Sequence, residues 1–137
     1  MRLIAALLLA LIMPLAAAAQ SPTDDAAIRA AIERQLEAFS SDDGAAAWSY
    51  AAPSIQQRFP TPDAFMALVE QAYPPVYRSR SHSFGDLAQT PLGLAQRVEI
   101  VDGDGVAWDA LYTVEEQPDG SWKITGCYLA KKAGVTA

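Results

Sequence analysis

The 137-residue sequence carries a formal charge of −6, with one cysteine and one histidine. That balance excludes nucleic acid and anionic membranes as partners, because phosphate backbones demand clustered Lys and Arg and the sole contiguous basic pair is Lys131-Lys132. A single cysteine excludes an internal disulfide, so the fold must rest on packing.

Residues 1–19 have the three-part build of a secretory signal peptide: Arg2, an apolar stretch from Leu3 to Leu15, and the small-residue end Ala17-Ala18-Ala19. The expectation is cleavage near Ala19, a periplasmic or secreted protein, and a single domain over residues 20–137. The apolar stretch is short for a bilayer span and no stop-transfer pattern follows, so no membrane attachment is expected after cleavage. A lipid anchor would need a cysteine at the cleavage point, and Cys127 lies near the other end.

From Thr23 to Ser40, Asp24-Asp25 opens a helical pattern with Ile28, Ile32, Leu36 and Phe39 on one stripe. Ser41-Asp42-Asp43-Gly44 breaks it and caps a short second helix over Ala45–Tyr50, stopped at Pro53. Thr61-Pro62-Asp63 starts a third, in which Phe65, Leu68, Val69 and Ala72 recur at helical spacing until Pro74-Pro75. From Val76 onward the period changes to two, which predicts strands at about 77–86, 94–101, 106–116 and 121–129. Asp119-Gly120 supplies the positive φ of the last hairpin.

Alternation puts Trp108, Ala110, Tyr112 and Val114 on one face of the third strand, with Asp109, Thr113 and Glu115 on the other. In the fourth it sets Trp122, Ile124, Gly126 and Tyr128 against Lys123, Thr125, Cys127 and Leu129. The Trp122 face is expected to meet the helices, with Gly126 leaving room for a helix or ligand. Cys127 is expected to be buried. Helices first and strands after is the order of an α+β domain: three N-terminal helices on an antiparallel sheet of about four strands.

Ala26-Ala27-Ile28-Arg29, Thr61-Pro62-Asp63-Ala64-Phe65-Met66, Tyr73 through Tyr77, Phe84-Gly85, Trp108-Asp109-Ala110-Leu111-Tyr112 and the run Asp119 through Cys127 resemble a family of exported bacterial proteins, domain of unknown function 4864. The wider pattern, ending in Asp-Gly-Ser-Trp-Lys-Ile, is similar to the nuclear-transport-factor-2-like (SnoaL-like, cystatin-like) superfamily. That resemblance implies a curved, cone-like sheet with a pocket between sheet and helices. It carries over no activity, since the superfamily includes isomerases, dehydratases, hydrolases and members without catalysis.

Catalytic members place Asp, His or Tyr inside the cone, where desolvation raises a carboxyl pKa for acid/base work. The candidates in this chain are His82 and Asp109, a dyad if neighbouring strands bring them together, with a solvated histidine and a surface aspartate as the alternative. Arg78, Arg80 and His82 share one face of the first strand, a cationic ladder able to receive a carboxylate or phosphate ligand, or to blunt an edge strand. Trp48, Phe65, Tyr73, Tyr77, Trp108, Tyr112 and Trp122 could line an apolar pocket, with Tyr77, Trp108, Tyr112 and Trp122 as the candidate walls, or could all be core residues.

Asp102-Gly103-Asp104-Gly105 resembles part of a calcium loop but lacks the later ligands, so it reads as a hairpin turn and no metal is expected. No phosphate loop or nucleophile elbow is present, and no cofactor is expected. The reading that follows is a non-catalytic domain holding a small apolar or weakly anionic molecule. The alternatives are an isomerase- or dehydratase-type enzyme using His82 and Asp109, and a structural module forming a homodimer through the outer sheet face.

Overall fold

The chain changes from helical to extended structure at Arg78, and the reasons are local. The computed structural model describes residues 22–132; the expected signal segment and its cleavage point lie outside them. Helix α1 (Pro22–Ser40) has Asp24 and Asp25 in its first turn, where carboxylates favour the positive end of the helix dipole. Ile28, Ile32 and Leu36 then follow at four-residue intervals and are buried together with Phe39. Ser41 closes the helix, its N–H and its hydroxyl each donating to the Glu37 carbonyl at 3.0 Å. Asp42 turns the chain with a φ of 54°.

Helix α2 (Gly44–Ser49) is capped by the Asp43 carboxylate, which accepts from the Ala46 N–H at 3.1 Å. Helix α4 (Pro62–Ala72) is capped in the same way by the Thr61 hydroxyl, which accepts from the Ala64 N–H at 3.1 Å. Between and after these lie two short helices that the sequence pattern does not predict, α3 (Pro53–Arg58) and α5 (Pro74–Tyr77). The described residues therefore hold five helices rather than three. The reason is the two-sided nature of proline. Pro53 and Pro74 do end the preceding patterns, but each also begins a new helix, where a missing N–H costs nothing and φ is already helical.

The sheet is an antiparallel meander in the order β1-β2-β3-β4, formed by β1 (Ser79–Thr90), β2 (Gly93–Asp102), β3 (Ala107–Glu116) and β4 (Trp122–Lys131). Strand β1 begins later than expected, since Tyr77 ends α5 and Arg78 caps it. It also runs past Asp86 to Thr90, absorbing an irregularity between Phe84 and Leu87. The expected turn Asp102-Gly103-Asp104-Gly105 joins β2 to β3. The Asp102 carboxylate accepts from the N–H groups of Asp104 and Val106, both at 2.9 Å, and from Trp108 Nε1 at 3.0 Å. Those bonds hold its pKa below the ordinary carboxylate value.

The inner face of the sheet carries Val98, Ile100, Ala110 and Tyr112 against α1, each at most 1 % exposed. On β4 the expected alternation holds only as far as Ile124. Val114 pairs with Ile124 but Thr113 pairs with Gly126, so Thr125 is an extra residue and the strand changes parity there. Trp122 and Ile124 face the helices as expected. Beyond the bulge, however, Cys127 and Leu129 turn inward beside Tyr112 and Ala110, and Tyr128 is exposed. A Cβ at Gly126 would stand 3.0 Å from Thr113 Oγ1, so the missing side chain leaves space for Thr113, and Gly126 itself borders a cavity. The edge of β4 is clamped at Ile124, whose N–H donates to the Tyr50 carbonyl at 2.9 Å while its own carbonyl accepts from the Ala52 N–H at 2.8 Å.

Candidate functional site

A cavity of about 340 Å³ lies where α3, α4 and the bulged part of β4 meet. It exists because of two local features. The short α3 starts at Pro53 immediately after the Ala51–Ile124 bridge and so stands beside β4, carrying Ile55 and Arg58 to the cavity wall. The bulge at Thr125 then turns Cys127, rather than Gly126, toward the helices, where it lines the cavity next to Tyr112. Helix α4 contributes Phe65, Leu68 and Val69 from its apolar stripe, and α1 contributes Phe39 and Gln35. Gln35 is buried and tied down, its amide donating to the Ala47 carbonyl at 3.1 Å.

Most of the wall is apolar. Its single charged residue is Arg58, which is exposed, and the described lining residues include no carboxylate and no histidine. The Arg58 guanidinium carbon stands 5.7 Å from the centroid of the Phe59 ring. At the floor, the Tyr112 hydroxyl is sealed from solvent and has no hydrogen bond of good geometry, with the Cys127 thiol as its neighbour. Burial pushes the Cys127 thiol up to about 12 and the Tyr112 phenol well above its ordinary value. Both are therefore neutral at physiological pH, so the thiol is not an activated nucleophile.

Of the pocket residues singled out in the sequence, Phe65, Tyr73 and Tyr112 line this cavity, as does Gly126. Trp122 is buried in the core, and Trp108 is engaged with Asp102. The Tyr77 hydroxyl donates to Asp42 Oδ1 at 2.6 Å. Arg78 forks onto both Asp42 oxygens at 2.9 and 3.0 Å and donates to the Phe39 carbonyl at 2.6 Å, so it fastens α5 to the end of α1. The expected ladder of Arg78, Arg80 and His82 does not assemble, because Arg78 precedes β1 and the pairing of β1 is irregular between Ser79 and Ser81, around Arg80.

The His82–Asp109 dyad does not assemble either. His82 pairs in register with buried Ile100 and lies on the inner face, with its Nε2 3.4 Å from Glu33 Oε1 and its ring edge-on to Phe84. Asp109 pairs with Glu99, one residue out of step, and therefore points to the outer face. There it borders a shallow charged concavity of about 210 Å³ with Arg97, Glu99 and Lys132. The sheet itself separates the two residues.

Ile55, Arg58 and Phe59, on and just after α3, and the inward Cys127 are cavity residues that sequence reasoning missed. The available signal was Pro53 as a helix start, which would have placed Arg58 at the end of a six-residue helix. Among the described residues no group of three or more His, Cys, Asp or Glu could hold a metal ion, and no helix is long and apolar enough to cross a membrane.

Residues 21–137 match the family described as Domain of unknown function (DUF4864), and the chain belongs to it. No curated protein and no solved structure matches the chain.

Proposed function

We propose that this member of the DUF4864 family is an exported, non-catalytic binding protein that holds a small, largely apolar molecule between its helices and its sheet. The observation that carries the reading is the cavity itself, whose volume of about 340 Å³ falls in the range of small-molecule sites and whose wall is mostly aromatic and aliphatic. Catalysis is disfavoured because His82 and Asp109 lie outside it on opposite faces, and the neutral Tyr112–Cys127 pair offers no base. A cavity between helices and an antiparallel sheet also supports placement in the nuclear-transport-factor-2-like superfamily. Export rests on the composition of residues 1–19.

Native mass spectrometry of the protein recovered from the culture medium or periplasm tests the reading. The expected result is an apolar adduct that is lost when Leu68→Trp fills the cavity. Saturable adducts on the Leu68→Trp protein, or none on the parent after exposure to a broad lipid and metabolite extract, would remove it.

A further inference from the structure

We infer that the ligand is an amphipathic monoanion, an apolar body ending in a carboxylate, whose head is held at the cavity rim by Arg58 and takes the Tyr128 hydroxyl as a second donor. The inference deepens the binding reading above and rests on it. A purely apolar guest needs only the wall, yet the rim carries hydrogen-bond donors for which no described residue is the acceptor.

Among the described residues Arg58 makes no ion pair and no side-chain hydrogen bond, and its guanidinium carbon stands 5.7 Å from the centroid of the Phe59 ring. A guanidinium laid on an aromatic face leaves the N–H groups along its edge free, and their planar fork fits a carboxylate bidentately. Tyr128 is 52 % exposed, also lines the cavity, and its hydroxyl has no hydrogen bond among the described residues. The hydroxyl of Tyr73, half-buried on the same wall, is likewise without one.

Among the described residues Arg78 and Lys132 are ion-paired with Asp42 and Glu99, whereas Arg29, Arg34, Arg80, Arg97, Lys123 and Lys131 make no ion pair, and neither does Arg58. What sets Arg58 apart is its place in the lining of a mostly apolar cavity. The cavity lining presents one cation and no acid, so a guest with a carboxylate head would supply the complementary charge there. The deeper wall admits only the uncharged part of such a guest, since a buried carboxylate without partners is far too costly. Tyr112 and Cys127 there remain neutral.

The test is calorimetric titration of the full protein with sodium octanoate and with 1-octanol, a pair matched in chain length and differing in the head. We expect octanoate to bind at least ten times more tightly. Arg58→Gln should remove that preference while leaving octanol binding within twofold, and Arg58→Lys should restore part of it. Tyr128→Phe should weaken octanoate severalfold and leave octanol unchanged. Equal binding of both probes by the parent, or a preference that survives in Arg58→Gln, overturns the anionic-head inference and leaves the apolar cavity reading standing. Binding of neither probe overturns both. Because Arg58 is exposed, its variants are expected to fold, and coincident circular dichroism spectra of parent and variants check this.

Discussion

The inner face of the sheet has a filled end and an open end, although both are built from the same kinds of residue. At the filled end Val98, Ile100 and Ala110 belong to one core cluster with Ile28 and Ile32, all fully buried. At the open end Tyr112 and Cys127 lie under α3 and α4, and about 340 Å³ stays unfilled. The difference lies in the covering elements. A regular nineteen-residue helix lays a continuous stripe on the first region, whereas the second is roofed by a six-residue helix and an eleven-residue one meeting a bulged strand. Close packing follows from regular geometry on both sides, and a site arises where one side is interrupted.

The largest test of that contrast is a pair of truncations. Ile100→Ala at the filled end should cost about 2–5 kcal/mol, because it leaves a void that close-packed neighbours cannot collapse into. Leu68→Ala, half-buried at the open end, should cost about 1 kcal/mol, since part of its surface already faces the cavity. Urea melts of both decide it; equal losses would show that the open end is as well packed as the closed one.

The bulge gives the next effect. Gly126→Ala places a Cβ within 3.0 Å of Thr113 Oγ1, which is itself bonded to Thr125 Oγ1 at 2.7 Å. Overpacking of this kind costs about 1–3 kcal/mol. The same residue change at Gly103, where a Cβ would meet nothing within 4 Å, should cost under about 0.5 kcal/mol. If the two variants melt together in urea, the bulge tolerates a side chain and the parity change has another origin.

The bulge also marks the limit of what could be read from the residues alone. Caps and apolar stripes made α1, α2 and α4 legible, and alternation with Asp-Gly turns made the meander legible, because each signal is local. Alternation along β4 could not reveal that Thr125 is an extra residue, since a bulge is defined by the partner strand. The outcome was opposite for neighbouring positions: Trp122 and Ile124 were placed correctly, Cys127 and Tyr128 on the wrong faces. In the same way, the separation of His82 from Asp109 depends on register across three strands. Of the cavity, Tyr112 was visible as an inward aromatic, but Arg58 was hidden behind a proline that stops one element and starts another.

A smaller effect, opposite in sign, concerns the floor of the open end. The Tyr112 hydroxyl is buried without a well-formed hydrogen bond, and an unsatisfied buried polar group is destabilising. Tyr112→Phe is therefore expected to stabilise the protein by about 1 kcal/mol, where removal of a bonded hydroxyl would cost a similar amount. Thermal denaturation distinguishes the two signs. A loss of stability would mean that the Cys127 thiol is a true partner of the hydroxyl.

The smallest effect belongs to the latch that fastens α5 to the end of α1. The Tyr77 hydroxyl and then the Arg78 guanidinium hold Asp42 below its ordinary carboxylate value of 3.8. A carboxylate depressed in the folded state contributes stability that is fully present above its unfolded value and is lost as pH falls through the lower folded value. The latch is solvent-exposed, so salt should weaken it and its contribution should be slight. Asp42→Asn isolates the charge, because asparagine also tolerates the left-handed backbone at φ 54° and keeps an acceptor for Tyr77. The melting temperature of Asp42→Asn should lie slightly below that of the parent near neutral pH, and the gap should close below about pH 4 or in molar salt. A gap that stays constant across that range would mean that the turn after α1 is held by backbone geometry and the Arg78 bond to the Phe39 carbonyl, and not by the ion pair.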